Sequence, residues 1–202
     1  MRNAYALLGV LFIIVFVGVY LSSREAQAPA FLEGDNQNNQ MSLTLTSSTF
    51  GPNEFIPEKY SCDGQNINPP LTFSGVPEGT KSFVLVMDDP DIPNEIKESR
   101  GIEKFNHWAI YNLPSDTTEI TEGSALGTEG ANSRGETAYT GPCPPTEFKP
   151  TTHRYVFRLY ALSGSLSFEK IPTLDEVEAA ARTQMLEKAE LIGRYSRVDN
   201  SN

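Results

Sequence analysis

The 202 residues contain two histidines, His107 and His153, and two cysteines, Cys62 and Cys143. Any imidazole or thiolate chemistry must pass through these four positions. Three segments gather polar groups around them. In Met87-Asp88-Asp89-Pro90-Asp91-Ile92-Pro93 an apolar run passes straight into three carboxylates, and two prolines fix the turn. In isolation such a turn is a solvated acidic loop. At the end of a buried strand the same residues point into a crevice, where clustered carboxylates shift one another's pKa. In Phe105-Asn106-His107-Trp108 an imidazole stands beside the single tryptophan, a setting common to structural histidines as well as to sites. In Tyr139-Thr140-Gly141-Pro142-Cys143-Pro144-Pro145 three prolines stiffen a loop, and a stiff wall suits a pre-formed pocket. A short insertion leads to His153-Arg154-Tyr155. Strand alternation there places His153, Tyr155, Phe157 and Leu159 on one face, with Arg154, Val156, Arg158 and Tyr160 on the other.

Two imidazoles, clustered carboxylates, a tyrosine hydroxyl and aromatic walls can hold a small anion or a polar headgroup by directed hydrogen bonds. The same residues allow two other chemistries. Cys143 with His153 as base would make a hydrolytic nucleophile, although the flanking prolines leave few backbone N–H donors for an oxyanion. His107, His153 and Asp89 would make a two-histidine, one-carboxylate metal site. The chain has no nucleophile elbow, P-loop or dinucleotide fingerprint. Its glycine-rich stretch, Gly127 to Gly135, lacks both a lysine and a following helical pattern, and reads as a loop.

The elements that must position these groups are mostly strands. Ser42–Thr46, Leu71–Phe73, Ser82–Met87, His107–Asn112 and Arg154–Leu162 are short apolar or alternating runs separated by Pro, Gly, Asn and Asp. That is the pattern of a mainly β sandwich or barrel. Phe83 to Met87 is apolar at every position, which predicts a central strand covered on both faces. One helix is signalled by a capping box, Thr173-x-x-Glu176, with Leu174, Val177, Ala181 and Met185 forming an apolar stripe behind it. A strand from Ala189 to Tyr195 ends the domain. Residues 41–198 show no break in composition and predict one domain. Sixteen Lys and Arg against 26 Asp and Glu leave a net charge of −10, which argues against a nucleic-acid partner and against basic docking on an anionic membrane.

Residues 1–21 carry a different signal. Ala4 to Leu21 is an eighteen-residue run without a charged side chain. As a helix it would be ~27 Å long, close to the ~30 Å of a hydrocarbon core. A cleaved signal peptide has a shorter apolar region, and Pro29 would follow the Ala26-Gln27-Ala28 cut site. The length favours a single-pass membrane anchor, N-terminus in the cytoplasm and the domain outside, with a secreted or periplasmic form as the alternative. Residues 22–40 read as a polar linker.

Four motifs, taken in order, resemble the phosphatidylethanolamine-binding protein family, and in particular its bacterial and archaeal Raf kinase inhibitor-like branch. They are DDPD at Asp88–Asp91, HW at His107–Trp108, YTGPCPP at Tyr139–Pro145 and HRYVFRLYAL at His153–Leu162. Stretches at Cys62–Ser82 and Ala189–Arg197 extend the likeness over about Met41 to Arg197. The resemblance implies a β-sandwich of one large and one small sheet with a C-terminal helix, and a small anion pocket at one edge for phosphate, acetate or a phosphorylated headgroup. It implies no cofactor and no metal. Carried over, the ligand-binding residues are Asp89, His107, Pro144, Pro145, His153 and Tyr155. Phe105, Trp108, Gly141 and Cys143 would shape the pocket. Family members with assigned roles regulate partner proteins of the kinase or protease class. This chain departs from the family pattern at Thr146–Thr152, which has no glycine, and at Asn132-Ser133-Arg134-Gly135, where a typical member reads Asn-Asp-Phe-Gly. Export permits Cys62 to pair with Cys143, whereas the same motifs in reducing compartments hold free thiols. The two states stay open at the level of sequence.

Overall fold

Eight successive residues, Ser82 to Asp89, are buried in the computed structural model, which describes residues 42–124 and 126–197. Apolar side chains on both faces of this strand demand a layer above and a layer below. In chain order the elements are β1 (Thr44–Thr46), β2 (Leu71–Ser74), β3 (Ser82–Asp89), α1 (Asn94–Arg100), β4 (Phe105–Pro114), β5 (Glu119–Ile120), β6 (Thr128–Glu129), β7 (Thr152–Leu162), α2 (Leu174–Gln184) and β8 (Met185–Ser196). The large sheet has the order β6-β4-β3-β7-β8 and the small one β1-β2-β5, all neighbours antiparallel. Phe83, Leu85 and Met87 face the small sheet and pack with Leu45, Leu71, Phe73 and Ile120. Val84 and Val86 face the other way, against Leu174, Val177 and Ala181 of α2. The chain is thus a mainly β sandwich of a large and a small sheet, with a helix on the outer face of the large one.

Helix α2 begins at the capping box read from the sequence: the Glu176 N–H donates to the Thr173 hydroxyl, and the Thr173 N–H donates to the Glu176 carboxylate. Its apolar stripe is shorter than the pattern suggested. Met185 is 44% exposed, because β8 starts there and turns the backbone out of the helix. Helix α1 was not expected. Pro93 precedes it and Gly101 ends it in a left-handed conformation (φ 64°), signals that the acidic turn before it obscured.

The far end of β3 carries charge into the layer beneath α2. Asp88 is fully buried and accepts from Lys104 Nζ at 2.6 Å and Arg158 Nη2 at 2.6 Å. Burial pushes its carboxyl up, against the pull of Arg158 and Lys104. Glu178 of α2 takes the Tyr160 hydroxyl at 2.6 Å and lies within 3.4 Å of Arg158. Burial alone would raise Glu178, but the Tyr160 hydroxyl and the charges of Arg158 and Lys104 bring it down to about 2. The anchor at Ala4–Leu21 and the linker at 22–40 lie outside the described residues. Among the described residues no helix is long and apolar enough to cross a membrane.

Because Arg158 is the main counter-charge of a buried carboxylate, Arg158→Met is expected to cost about 3 kcal/mol in urea unfolding, the low end for breaking a buried pair since Lys104 remains. A loss below 1 kcal/mol would mean that Lys104 alone suffices.

Candidate binding cavity at the end of the large sheet

Asp89 ends β3 on the face shared with Leu85 and Met87, pointing along the sandwich edge. Its Oδ2 lies 2.7 Å from Nδ1 of His153 on β7, and its Oδ1 accepts the Asp91 N–H at 2.8 Å. The second nitrogen of His153, Nε2, lies 3.0 Å from the Pro150 carbonyl. Both partners of the ring only accept, so both nitrogens donate and His153 is an imidazolium paired with a carboxylate. Burial works against that charge; the Asp89 hydrogen bond and charge, with Pro150, outweigh it and raise the pKa. Asp91 turns outward and clasps Arg154, accepting from Nε at 2.8 Å and Nη2 at 2.6 Å, which holds its carboxyl below the usual range. The three carboxylates therefore do not form a mutually perturbing cluster, as the sequence suggested. Alternation and the turn send them three ways, each to its own cation.

His107 reaches the same space through a β-bulge. Met87 is opposite Trp108 and Asp88 opposite Asn106, so His107 is the extra residue on β4. The bulge lets the imidazole and the indole share the inner side of the sheet, where simple alternation would separate them. The His107 ring sits between Phe105 (centroids 4.8 Å apart) and the edge of Tyr155 (5.2 Å). Its Nδ1–H donates to the Thr140 carbonyl at 2.6 Å, and Nε2 has no partner among the described residues. Burial pushes its pKa down to about 4, Arg134 and His153 adding to the shift and Asp89 opposing it. His107 is thus neutral, with its Nε2 lone pair free.

The proline-rich loop is held from outside. The Tyr139 hydroxyl donates to the Tyr60 carbonyl at 2.8 Å, the Gly141 N–H to Asn66 Oδ1 at 2.7 Å, and the Cys62 N–H to the Pro142 carbonyl at 3.0 Å. Cys62 and Cys143 form a disulfide with Cα atoms 5.4 Å apart. A Cβ on Gly141 would overlap the Tyr60 carbonyl oxygen and Asn66, so this close approach requires glycine.

These groups enclose a cavity of ≈ 440 Å³. Asp89, His107 and His153 line it as polar groups; Phe105, Gly141, Cys143, Pro144 and Pro145 form one wall. Ile92, Pro93 and Ile96 form another, and Arg100 and Arg134 complete the lining. Of the residues expected here, two are elsewhere. Trp108 packs edge-on to Tyr139 (5.5 Å), gives its indole N–H to Glu129 at 3.2 Å and borders a separate small hollow. Tyr155 is fully buried behind His107, its hydroxyl without a hydrogen-bond partner among the described residues. Two chemistries also fall away. Cys143 has its sulfur in a disulfide and offers no thiolate, and His153 has spent both nitrogens on hydrogen bonds and offers neither base nor metal ligand. Among the described residues no three side chains gather as a metal site. The sequence reading missed Ile92, Ile96 and Arg100, which recur at helical spacing before Gly101 and could have been found. Arg134 was not among the expected site residues, although the segment that carries it, Asn132–Gly135, is one of the two where the sequence departs from the family pattern.

A two-sheet sandwich with this end cavity defines a class, and the sequence comparison agrees with it. Residues 46–196 match the family described as phosphatidylethanolamine-binding protein, and the chain belongs to that family. A UPF0098 protein of Chlamydia pneumoniae is 40% identical over 156 residues, covering 77% of this chain and 99% of the relative. A UPF0098 protein of Methanothermobacter thermautotrophicus is 38% identical over 165 residues, covering 77% and 99%. Among solved structures, a phosphatidylethanolamine-binding protein homologue of Chlamydia trachomatis superposes with a TM-score of 0.71 at 39% identity, covering 78% of this chain and 99% of that one. Escherichia coli YbcL, described as a member of the mammalian family, superposes with 0.68 at 27% identity, covering 78% and 99%.

The histidines bend the pH dependence of stability in opposite directions. With a folded pKa near 4 against 6.5, His107 makes the protein lose about 3 kcal/mol as the pH falls through that interval, since only the unfolded chain takes up the proton. His153, raised when folded, contributes stability that is full below about 6.5 and is lost as the pH rises through its folded value. Urea midpoints from pH 4 to 9 should show His107→Gln with a shallower acid limb and His153→Gln with a shallower alkaline one; unchanged slopes would contradict the protonation states assigned here. Gly141→Ala should also unseat the loop, costing 1–3 kcal/mol by about the scale of other forced overpacking.

Proposed function

We propose that this chain is a binding module tethered to the outer face of the cell membrane by Ala4–Leu21, whose cavity takes a small anion or a phosphorylated headgroup. The observation that carries the reading is the free Nε2 of His107 in a cavity where the buried Asp89 and His153 already neutralise one another and the remaining charged lining, Arg100 and Arg134, is cationic. A phosphate that keeps one proton can donate it to that lone pair. Conversely, a bound anion supplies the counter-charge that burial denies to the imidazolium, and His107 takes up a proton on binding. Local geometry outweighs the net charge of −10, because distant surface carboxylates are screened within about 8–10 Å.

The reading is of a binder and not an enzyme, since the thiol and the second imidazole that would carry turnover are both committed to structural partners. Family membership supports a binding role, and the unbroken apolar run at the N-terminus supports tethering and export. A partner protein, if one is regulated, would be met outside the cytoplasm, where a kinase has no obvious place.

Calorimetric titration with inorganic phosphate and with phosphoethanolamine, beside His107→Ala, tests the reading. Saturable binding weakened at least tenfold in the variant is expected. An absence of binding to both ligands would leave a protein-interaction domain with an idle cavity.

A further inference from the structure

We propose that the domain sits on a zwitterionic bilayer surface by the end of the sandwich opposite the cavity, which holds the cavity away from the membrane that carries the chain. The inference goes beyond the ligand reading above and rests only on its tethering part.

The first observation is where large apolar side chains are exposed. Among the described residues there are six, and two lie elsewhere: Phe55, whose ring takes the Arg194 guanidinium at 5.0 Å, and Ile171. The other four, Val76, Leu126, Met185 and Leu186, are each 39 to 44% exposed. Sheet register puts them at one end. Ser82 opens β3 opposite Pro114 of β4 and Leu162 of β7, and Leu162 is opposite Met185, where β8 begins. Leu186 Cδ1 comes within 4.0 Å of the place a Cβ would take on Gly79, in the loop that also carries Val76. Leu126 precedes Gly127, which backs onto the Tyr111 carbonyl and the Leu113 nitrogen near the end of β4. Asp89, at the other end of β3, lines the cavity. The length of β3 sets the two ends about 23 Å apart, at about 3.3 Å per residue. Exposed apolar side chains scattered singly need no explanation; a gathering at one end does.

The second observation is where the chain enters. The Leu43 N–H donates to Glu187 Oε1 at 3.0 Å, just beyond Met185 and Leu186, and Thr44 pairs with Ser74, just before the Val76 loop. The polar stretch 22–40 therefore leads into the domain at its apolar end. A coil of that length reaches about 25 Å. So short a tether gives this end a high effective concentration at the bilayer, where contacts too weak to bind a free protein suffice. The exposed charges beside it, Glu78, Lys81 and Asp116, form no cationic patch, which suits a zwitterionic surface rather than an anionic one. Docked in this way, the cavity meets soluble or protein-borne ligands, and the headgroups of its own bilayer stay out of reach.

The test is the full chain in phosphatidylcholine vesicles whose acyl chains carry bromine, a contact quencher of indole. Trp108, the single native tryptophan, is buried and reports the background. Leu186→Trp should be quenched at least twofold more than Ile171→Trp, which adjoins Pro172, whose carbonyl takes the Ala131 N–H, away from this end. Adding Val76→Ser and Met185→Ser should remove most of that difference with the melting temperature unchanged, and high salt should leave it intact. Equal quenching at the two positions, or stronger quenching of Ile171→Trp, overturns the proposal. So does a Leu186→Trp emission that responds to protein concentration and not to bromine, which assigns this end to a second copy of the chain. Flotation with the vesicles in alkaline carbonate reads the anchor separately. A chain that floats without the quenching difference keeps the tether and loses the docking; a chain that does not float loses both.

Discussion

A strand that is buried along its whole length and ends in two carboxylates obliges the rest of the chain to bring them counter-charges. Residues Ser82 to Asp89 form that strand, and its alternation sends Asp88 and Asp89 to opposite faces of the large sheet. Leaving either unpaired in an apolar layer would cost several kcal/mol. On the helix side Asp88 draws in Arg158 and Lys104, and through them Glu178 of α2. On the sandwich side Asp89 draws in His153. The first arrangement fastens α2 to the sheet. The second leaves a neutralised pair lining the cavity at the end of the large sheet.

The groups around that pair are fixed before any ligand arrives. Each has a backbone partner that sets its direction: the Thr140 carbonyl for His107, the Pro150 carbonyl for His153, the Asp91 N–H for Asp89. The Pro150 carbonyl comes from the 146–151 loop that leads into β7. The opposite wall is held by three hydrogen bonds and a disulfide spanning 81 residues of sequence. In the chain-entropy view a closure of that length stabilises by about 4–5 kcal/mol.

Much of this was legible in the chain as written. The continuous apolar run of β3, the capping box at Thr173 and the alternation of His153, Tyr155 and Phe157 follow from local rules of period and end-signals, and the structure keeps all three. Glycine and proline in Tyr139–Pro145 marked a stiff wall, and the wall is there. The three carboxylates were read as one cluster because neighbours in sequence were treated as neighbours in space. Trp108 and Tyr155, carried into the pocket by the family resemblance, are drawn instead into packing with Tyr139 and behind His107.

The sequence by itself determined the layers and the chemical types available: two imidazoles, a few carboxylates and two cysteines, on strands of known facing. Those are properties of a short window, where backbone period and side-chain polarity act alone. Only the tertiary structure decided what each group does. One extra residue in β4 turned His107 inward. The approach of two distant turns joined Cys62 to Cys143 and removed a nucleophile. Packing against acceptors on both sides charged His153, while burial kept His107 neutral. The fold brings α1 and the 131–135 loop to the border of one cavity, with Arg100 and Arg134 in its lining. Each outcome depends on pairings between residues tens of positions apart, and no local pattern records them.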